Sequence, residues 1–267
     1  MTNLFISSLH NPKIKNLLLL QQKSSERRAQ NKFIAEGKRE LSHCIDAGLE
    51  INSVFYCPSI LGKGDNADIL TKLANNITRY EVSEDVYNKL AYRENTEGIL
   101  AEVFTPKQGL ENLKIGPKPL IIVMESVEKP GNLGAILRSA DACGADAVIV
   151  CDPLTDLYNP NLIRSSIGAI FTVPCIACSS EECIEYLKRN HIQILTAQLQ
   201  DSSVYYDTDM TCGTAIVVGT ESTGLSNLWR DAADKHIRIP MRGKLDSLNV
   251  SVSAAILLFE ALRQRNG

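Results

Sequence analysis

The chain has 267 residues, 44% of them apolar, enough to build one large domain or two modest ones around a real core. Its formal net charge of −3 does not announce a nucleic-acid binder. No apolar run approaches the roughly 20 residues that cross a bilayer, and the N-terminus lacks a secretory pattern, so the expected setting is the cytoplasm with no membrane partner.

The charge is uneven along the chain. Between His10 and Arg39 stand Lys13, Lys15, Lys23, Arg27, Arg28, Lys32, Lys38 and Arg39, opposed only by Glu26 and Glu36. Such a window can grip a phosphate backbone even on an acidic protein. It can equally be the solvated face of a helix.

In chain order, Pro12 to Lys23 reads as a helix, with Asn11 as cap and Pro12 at the first helical position. Lys32 to Glu36 is a short strand, and Lys38 to Ala47 a helix stopped by Gly48. Ser53 to Tyr56 reads as a strand, Asp68 to Ala74 as a helix and Gly98 to Val103 as a strand. Thr105 to Pro119, with three prolines, two glycines and three lysines, reads as a linker. The predicted division is therefore 1–104, a small α/β domain; 105–119, a linker; and 120–267, a second domain.

The second domain alternates cleanly. Strands are predicted at Leu120–Met124, Ala147–Cys151, Phe171–Cys175, Gln193–Ala197, Ala215–Gly219 and Lys235–Ile239. Helices are predicted at Leu133–Cys143, Pro160–Gly168, Glu181–Asn190, Leu225–Ala233 and Asn249–Arg265. Strands alternating with helices call for a parallel sheet covered on both faces.

Eight cysteines sit in this chain. Cys143, Cys151 and Cys212 lie in or beside apolar patterns and read as reduced, buried thiols. Cys175 and Cys178 form a CxxC with Cys183 following. No second CxxC and no nearby His completes a tetrahedral set, so no metal is expected. The histidines, His10, His43, His191 and His236, are scattered.

Three segments carry the functional reading. PGNLGAILR, Pro130 to Arg138, offers Asn132 as a cap for the following helix and an arginine amid Ala135, Ile136, Leu137 and Ala140. If buried, Arg138 would need an anionic partner, which its guanidinium grips in a bidentate fork; otherwise it simply snorkels to solvent. GTESTGL, Gly219 to Leu225, follows an apolar strand; Gly219 admits close approach of backbone or ligand, and Glu221 sits in the turn. PMRGKLDSLNVSVSAA, Pro240 to Ala255, places Ser247, Leu248 and Asn249 at the start of a long helix, where they cap it or hold a ligand. There is no GxGxxG after a strand, no P-loop and no GxSxG elbow.

Taken together, NLGAILRSADACGADAVIV from Asn132, VVGTESTGLS from Val217 and IPMRGKLDSLNVSVSAAILLFEA from Ile239 resemble motifs one, two and three of the SpoU/TrmH branch of the SPOUT RNA methyltransferases. NPNLIRSSIGAIFTVP from Asn159 is also similar to that branch. ISSLHNPKIKNLLLLQ with FIAEGKRELSHC resembles the small, ribosomal-protein-like α/β substrate-binding domain that precedes such catalytic domains. The resemblance implies a parallel-sheet α/β domain whose C-terminal part forms a deep trefoil knot, a homodimer, and S-adenosylmethionine as methyl donor to a ribose 2′-hydroxyl of structured RNA. The basic N-terminal window favours 23S ribosomal RNA over transfer RNA as substrate. It further implies that the backbone at Gly219, Ile239 and Leu248 holds the adenine and ribose of the cofactor, with Met241 and Ala197 as pocket walls. Asn132, Arg138, Glu221, Ser247 and Asn249 match the motif positions of the catalytic site. A transfer RNA target, a base methyltransferase and a non-catalytic RNA-binding or ribosome-assembly factor are the competing readings.

Overall fold

The computed structural model describes residues 4–62, 68–92, 97–220, 222–244 and 247–266. The chain divides into two compact units, Met1–Lys107 with Tyr158–Phe171, and Gln108–Leu157 with Thr172–Gly267.

The first unit is a mixed α/β layer. Its elements are β1 (Leu4–Ile6), α1 (Pro12–Gln22), α2 (Ser24–Gln30), β2 (Lys32–Glu36), α3 (Lys38–Asp46), β3 (Ile51–Tyr56), α4 (Pro58–Leu61), α5 (Asp68–Thr71), β4 (Thr78–Val82), α6 (Glu84–Leu90) and β5 (Ile99–Phe104). The sheet order is β1-β4-β3-β5-β2. The β1–β4–β3 pairings are parallel, while β5 runs antiparallel to both β3 and β2. Helix α1 begins as its sequence dictates, with Asn11 accepting from the Lys13 amide and Pro12 in the first turn. Its apolar stripe, Ile14, Leu17 and Leu20, packs with Phe55, Tyr87 and Leu90 into one core. The basic window is only partly available to a ligand. Arg27 is buried and donates to the carbonyls of Leu20 and Gln21, closing the end of α1. Lys32 pairs with Glu102 at 3.2 Å. Lys13, Lys15, Lys23, Arg28 and Arg39 remain exposed.

The second unit holds β6 (Leu120–Glu125), α7 (Pro130–Cys143), β7 (Ala147–Cys151), β8 (Cys175–Cys178), α9 (Ser180–Arg189), β9 (Gln193–Ala197), β10 (Ser203–Val204), β11 (Thr214–Val218), α10 (Asn227–Ala232), β12 (Lys235–Arg238) and α11 (Val250–Asn266); α8 (Pro160–Ser165) packs in the first. Seven strands run in the order β10-β12-β9-β11-β6-β7-β8, and every pairing is parallel. The central strands β6, β7 and β11 are buried along their whole length, which is why they read as unbroken apolar runs. Helix α11 lies against α7 and over β11 and β6. Leu110, Leu113 and Ile115, in the Thr105 to Pro119 stretch, pack on the core of this unit.

Three sequence expectations are corrected. Asn132 does not cap α7. Proline has no amide hydrogen to lose at a first-turn position, so Pro130 starts the helix three residues earlier and Asn132 lies inside its first turn. The strand expected at Phe171–Cys175 lies at Cys175–Cys178, because Ala169–Phe171 closes into a 3₁₀ turn after Ile167 and Gly168 take positive φ. Cys212 is exposed, whereas Cys143 and Cys151 are buried as expected; all eight cysteines are free thiols.

Candidate functional site

Parallel α/β sheets bind ligands beyond the carboxyl ends of their strands, where loops diverge. Here β9, β11 and β12 are neighbours, and the segments leaving their carboxyl ends enclose a cavity of about 160 Å³. Ala197 ends β9, and Gln198 and Leu199 follow it; Gly219 and Thr220 follow β11; Ile239 and Met241 follow β12. Ser247 and Leu248, with Val250, Ser253 and Leu257 of α11, complete the wall. Five residues proposed from the sequence to face a cofactor, Ala197, Gly219, Ile239, Met241 and Leu248, therefore line one cavity together with Ser247. Gln198, Leu199, Thr220 and Ser253 also line it, and the sequence reading passed over them because each is an ordinary loop or helix residue with no pattern of its own.

The loop after β11 is shaped by two glycines. A Cβ on Gly219 would run into the backbone of Gly224 and Leu225, so the approach that this glycine permits is of its own loop. Gly224 takes φ +67° and its amide donates to the Thr220 carbonyl at 3.1 Å. Buried Glu125, the last residue of β6, fixes the far end of the loop by accepting from the Ser226 amide at 2.8 Å. The signal for Glu125 was available, since an acid closes the apolar run of β6. Glu221 lies outside the described residues.

A second hollow of about 200 Å³, lined by Val127, Glu128, Lys129, Asn132 and Ser222, shares Thr220 and Val250 with the first. At its edge Asn249 Nδ2 donates to Asn132 Oδ1 at 3.1 Å. Asn249 Oδ1 in turn accepts from the amide and hydroxyl of Ser251 at 2.9 and 2.6 Å, and its carbonyl accepts from Val252 and Ser253. One asparagine thus caps α11 and ties it to the first turn of α7. The two hollows differ in chemistry. The first has apolar walls from Val218, Ile237, Ile239, Met241 and Leu257. The second is edged by an amide, a lysine and a carboxylate. This pairing fits a ligand with a flat heteroaromatic end and a charged end.

Arg138 is not part of that lining. It is exposed on α7 and has no hydrogen-bond or ion-pair partner among the described residues. The snorkelling alternative describes its position in a single chain. His236 is bound at Nδ1 to Thr196 Oγ1 at 2.6 Å and takes no part in the cavity.

Comparison with known proteins gives the same region a family. The model of the MRM3-like substrate binding domain matches residues 11–101. The 23S rRNA (guanosine(2553)-2′-O)-methyltransferase RlmP of Bacillus subtilis is 30% identical over 95% of this chain and 97% of its own. A solved RNA 2′-O ribose methyltransferase is 39% identical, covers 99% of this chain and 100% of its own, and superposes with a TM-score of 0.83. An AdoMet-bound rRNA methyltransferase from Sinorhizobium meliloti, 27% identical, covers 97% of each chain with a TM-score of 0.88. The model of the SpoU rRNA methylase family matches residues 119–259, and with full-length relatives of that kind on both measures, the chain belongs to this family.

Proposed function

We propose that this protein transfers the methyl group of S-adenosylmethionine to a ribose 2′-hydroxyl of 23S ribosomal RNA. The observation that carries the reading is the convergence of the β9, β11 and β12 exits with Ser247 and Leu248 on one cavity, beside the Asn132–Asn249 pair. Residues 1–104 are read as the RNA-binding domain, 105–119 as the connection and 120–267 as the methyltransferase domain. The exposed Lys13, Lys15, Lys23, Arg28 and Arg39 supply phosphate contacts.

S-Adenosylmethionine, when bound, supplies an electrophilic methyl group. Its adenine and ribose are assigned to Ala197, Gly219, Ile239, Met241 and Leu248, whose walls are apolar and whose peptide groups offer hydrogen bonds. Asn132, Asn249 and Ser247 are assigned to the ribose of the RNA, and Glu221 is assigned to the same role from its motif position alone. A ribose hydroxyl is a poor nucleophile and must shed its proton as it attacks. Arg138 cannot readily act as a base by itself, because a guanidinium has no acceptor atom and holds its protons firmly. Its role is to clamp an RNA phosphate and stabilise the developing alkoxide, with the proton leaving through that phosphate.

The reading includes a homodimer. Support comes from Val252 and Phe259, which stand exposed one heptad apart on α11, and from Arg138, which is exposed and does not line the cavity of its own chain. Arg138 is then read as serving the site of a second copy. The reading also includes the trefoil knot. What supports it is the order of contacts along the chain, with β12 beside β9 and the following helix α11 on α7.

The test is methyl transfer from labelled S-adenosylmethionine to bacterial RNA separated into ribosomal and transfer fractions. Label in 23S rRNA at one alkali-resistant linkage is the expected outcome. Label confined to transfer RNA, or at an alkali-labile linkage, overturns the substrate or the position of methylation.

A further inference from the structure

Away from that cavity, three cysteines meet at the carboxyl edge of the sheet. Cys151 ends β7, Cys178 ends β8, and the two are register partners in the parallel pairing. Cys183 lies in the early turns of α9. The three sulfurs all lie within 4.8 Å of one another. The CxxC spacing had pointed to Cys175 with Cys178. Cys175 falls outside the cluster, and Cys151, remote in sequence, takes its place.

The simplest account is that thiols pack here as small apolar groups, since Cys151 and Cys183 are core residues. Three features go further. First, a single cation bound to thiolates at about 2.3 Å holds neighbouring sulfurs roughly 4 Å apart, and no side of the triangle exceeds 4.8 Å. Second, the backbone that carries the triangle is braced. The residue after Cys151, Asp152, donates its amide to the Cys178 carbonyl at 2.9 Å. Its carboxylate accepts from the Ser180 hydroxyl at 2.6 Å, and that hydroxyl accepts from Trp229 Nε1 at 2.9 Å. Outer-shell bonding of this kind fixes ligand geometry before a metal arrives. Third, the triangle has an entrance. Cys178 is only half-buried and lines a groove of about 770 Å³ together with Glu182 and Glu185, whose charge favours cations.

The geometry points to a binding site for one soft d¹⁰ cation, zinc(II) or copper(I), held by the sulfurs of Cys151, Cys178 and Cys183 with its open position toward the groove. Soft thiolate donors select these ions over hard ones. Each thiol that coordinates releases its proton to solvent, so binding is weakened as the pH falls.

The full-length reduced protein is titrated anaerobically with cobalt(II) as a spectroscopic probe, then with zinc(II) and, separately, copper(I) against chelators of known affinity. A thiolate-to-cobalt charge-transfer band that saturates at one equivalent and is displaced by zinc or copper(I) is expected. Cys178→Ser should weaken binding at least tenfold, and Cys151→Ser and Cys183→Ser likewise. Cys175→Ser and Cys212→Ser should bind as the parent does. Because Cys151 and Cys183 are core positions, the half-buried Cys178→Ser variant is also melted with and without zinc. Zinc should raise the melting temperature of the parent and leave this variant unmoved. Absence of the band, or a band and a zinc-induced melting shift that survive Cys178→Ser, overturns the site.

Discussion

Asn249 joins two jobs that chemistry can separate. Its Oδ1 caps α11 and its Nδ2 donates to Asn132. Asn249→Asp keeps an acceptor for the Ser251 amide and loses the donor. Asn249→Ala loses both, and a lost cap costs about 1 kcal/mol. The Asp variant should therefore melt near the parent temperature while its turnover drops at least tenfold. The Ala variant should lose both, and equal turnover in the Asp variant and the parent would remove Asn249 from the site. Gly219→Ala sets a Cβ against the backbone of Gly224 and Leu225, which cannot swing aside as a side chain would. Overpacking of this kind costs about 1–3 kcal/mol, and calorimetry should find S-adenosylmethionine binding weakened by at least tenfold. These residues were legible because motif order brought them together. Glu125 was legible only as an acid that closes an apolar run, since nothing there announces a hydrogen bond to Ser226, about a hundred residues on.

At the scale of elements, the buried parallel strands were the easiest to read. Their apolar runs are the direct result of being covered on both faces, and β7 and β9 fall at the residues expected, as does the antiparallel edge strand β2. Short or half-exposed elements escaped. β4, Thr78–Val82, carries an arginine and a glutamate on its open face, and α2, Ser24–Gln30, has no apolar stripe to betray it. Helix α7 was read three residues short because Asn132 resembles a cap, yet Pro130 is the better starting residue. The link from β6 to the loop after β11 is the element contact with a sharp test. Glu125→Ala leaves the Ser226 amide without its acceptor, and a lost hydrogen bond to a charged group costs about 1.5–3 kcal/mol. Glu125→Gln retains an acceptor oxygen. Binding of S-adenosylmethionine should fall for the Ala variant and be largely retained by Gln; equal behaviour of the two would show that the loop does not depend on this bond.

For the whole molecule, the dimer reading has an arithmetic consequence. Arg138→Ala and Asn132→Ala should each be inactive, yet a mixture refolded or co-expressed at equal amounts should recover about a quarter of parental turnover, because half the dimers then hold one intact site. No recovery would place both residues at the site of one chain. RNA binding belongs to the same scale. Replacing Lys15, Lys23 and Arg28 together with alanine should weaken RNA binding and flatten its salt dependence by about three contacts; an unchanged slope would mark this face as merely solvated. The grouping of Tyr158–Phe171 with the first unit carries a consequence for synthesis. Fully buried Phe33 stacks on Tyr158 and Phe171 at centroid distances of 4.6 and 5.6 Å. A nascent chain that has emerged only to Lys107 therefore has its five-stranded sheet but not the aromatic lid over β2. The N-terminal unit must wait, with an apolar patch uncovered, until Phe171 has cleared the ribosome. By then β6 and β7 of the second unit have also emerged, so the two halves mature together rather than in sequence.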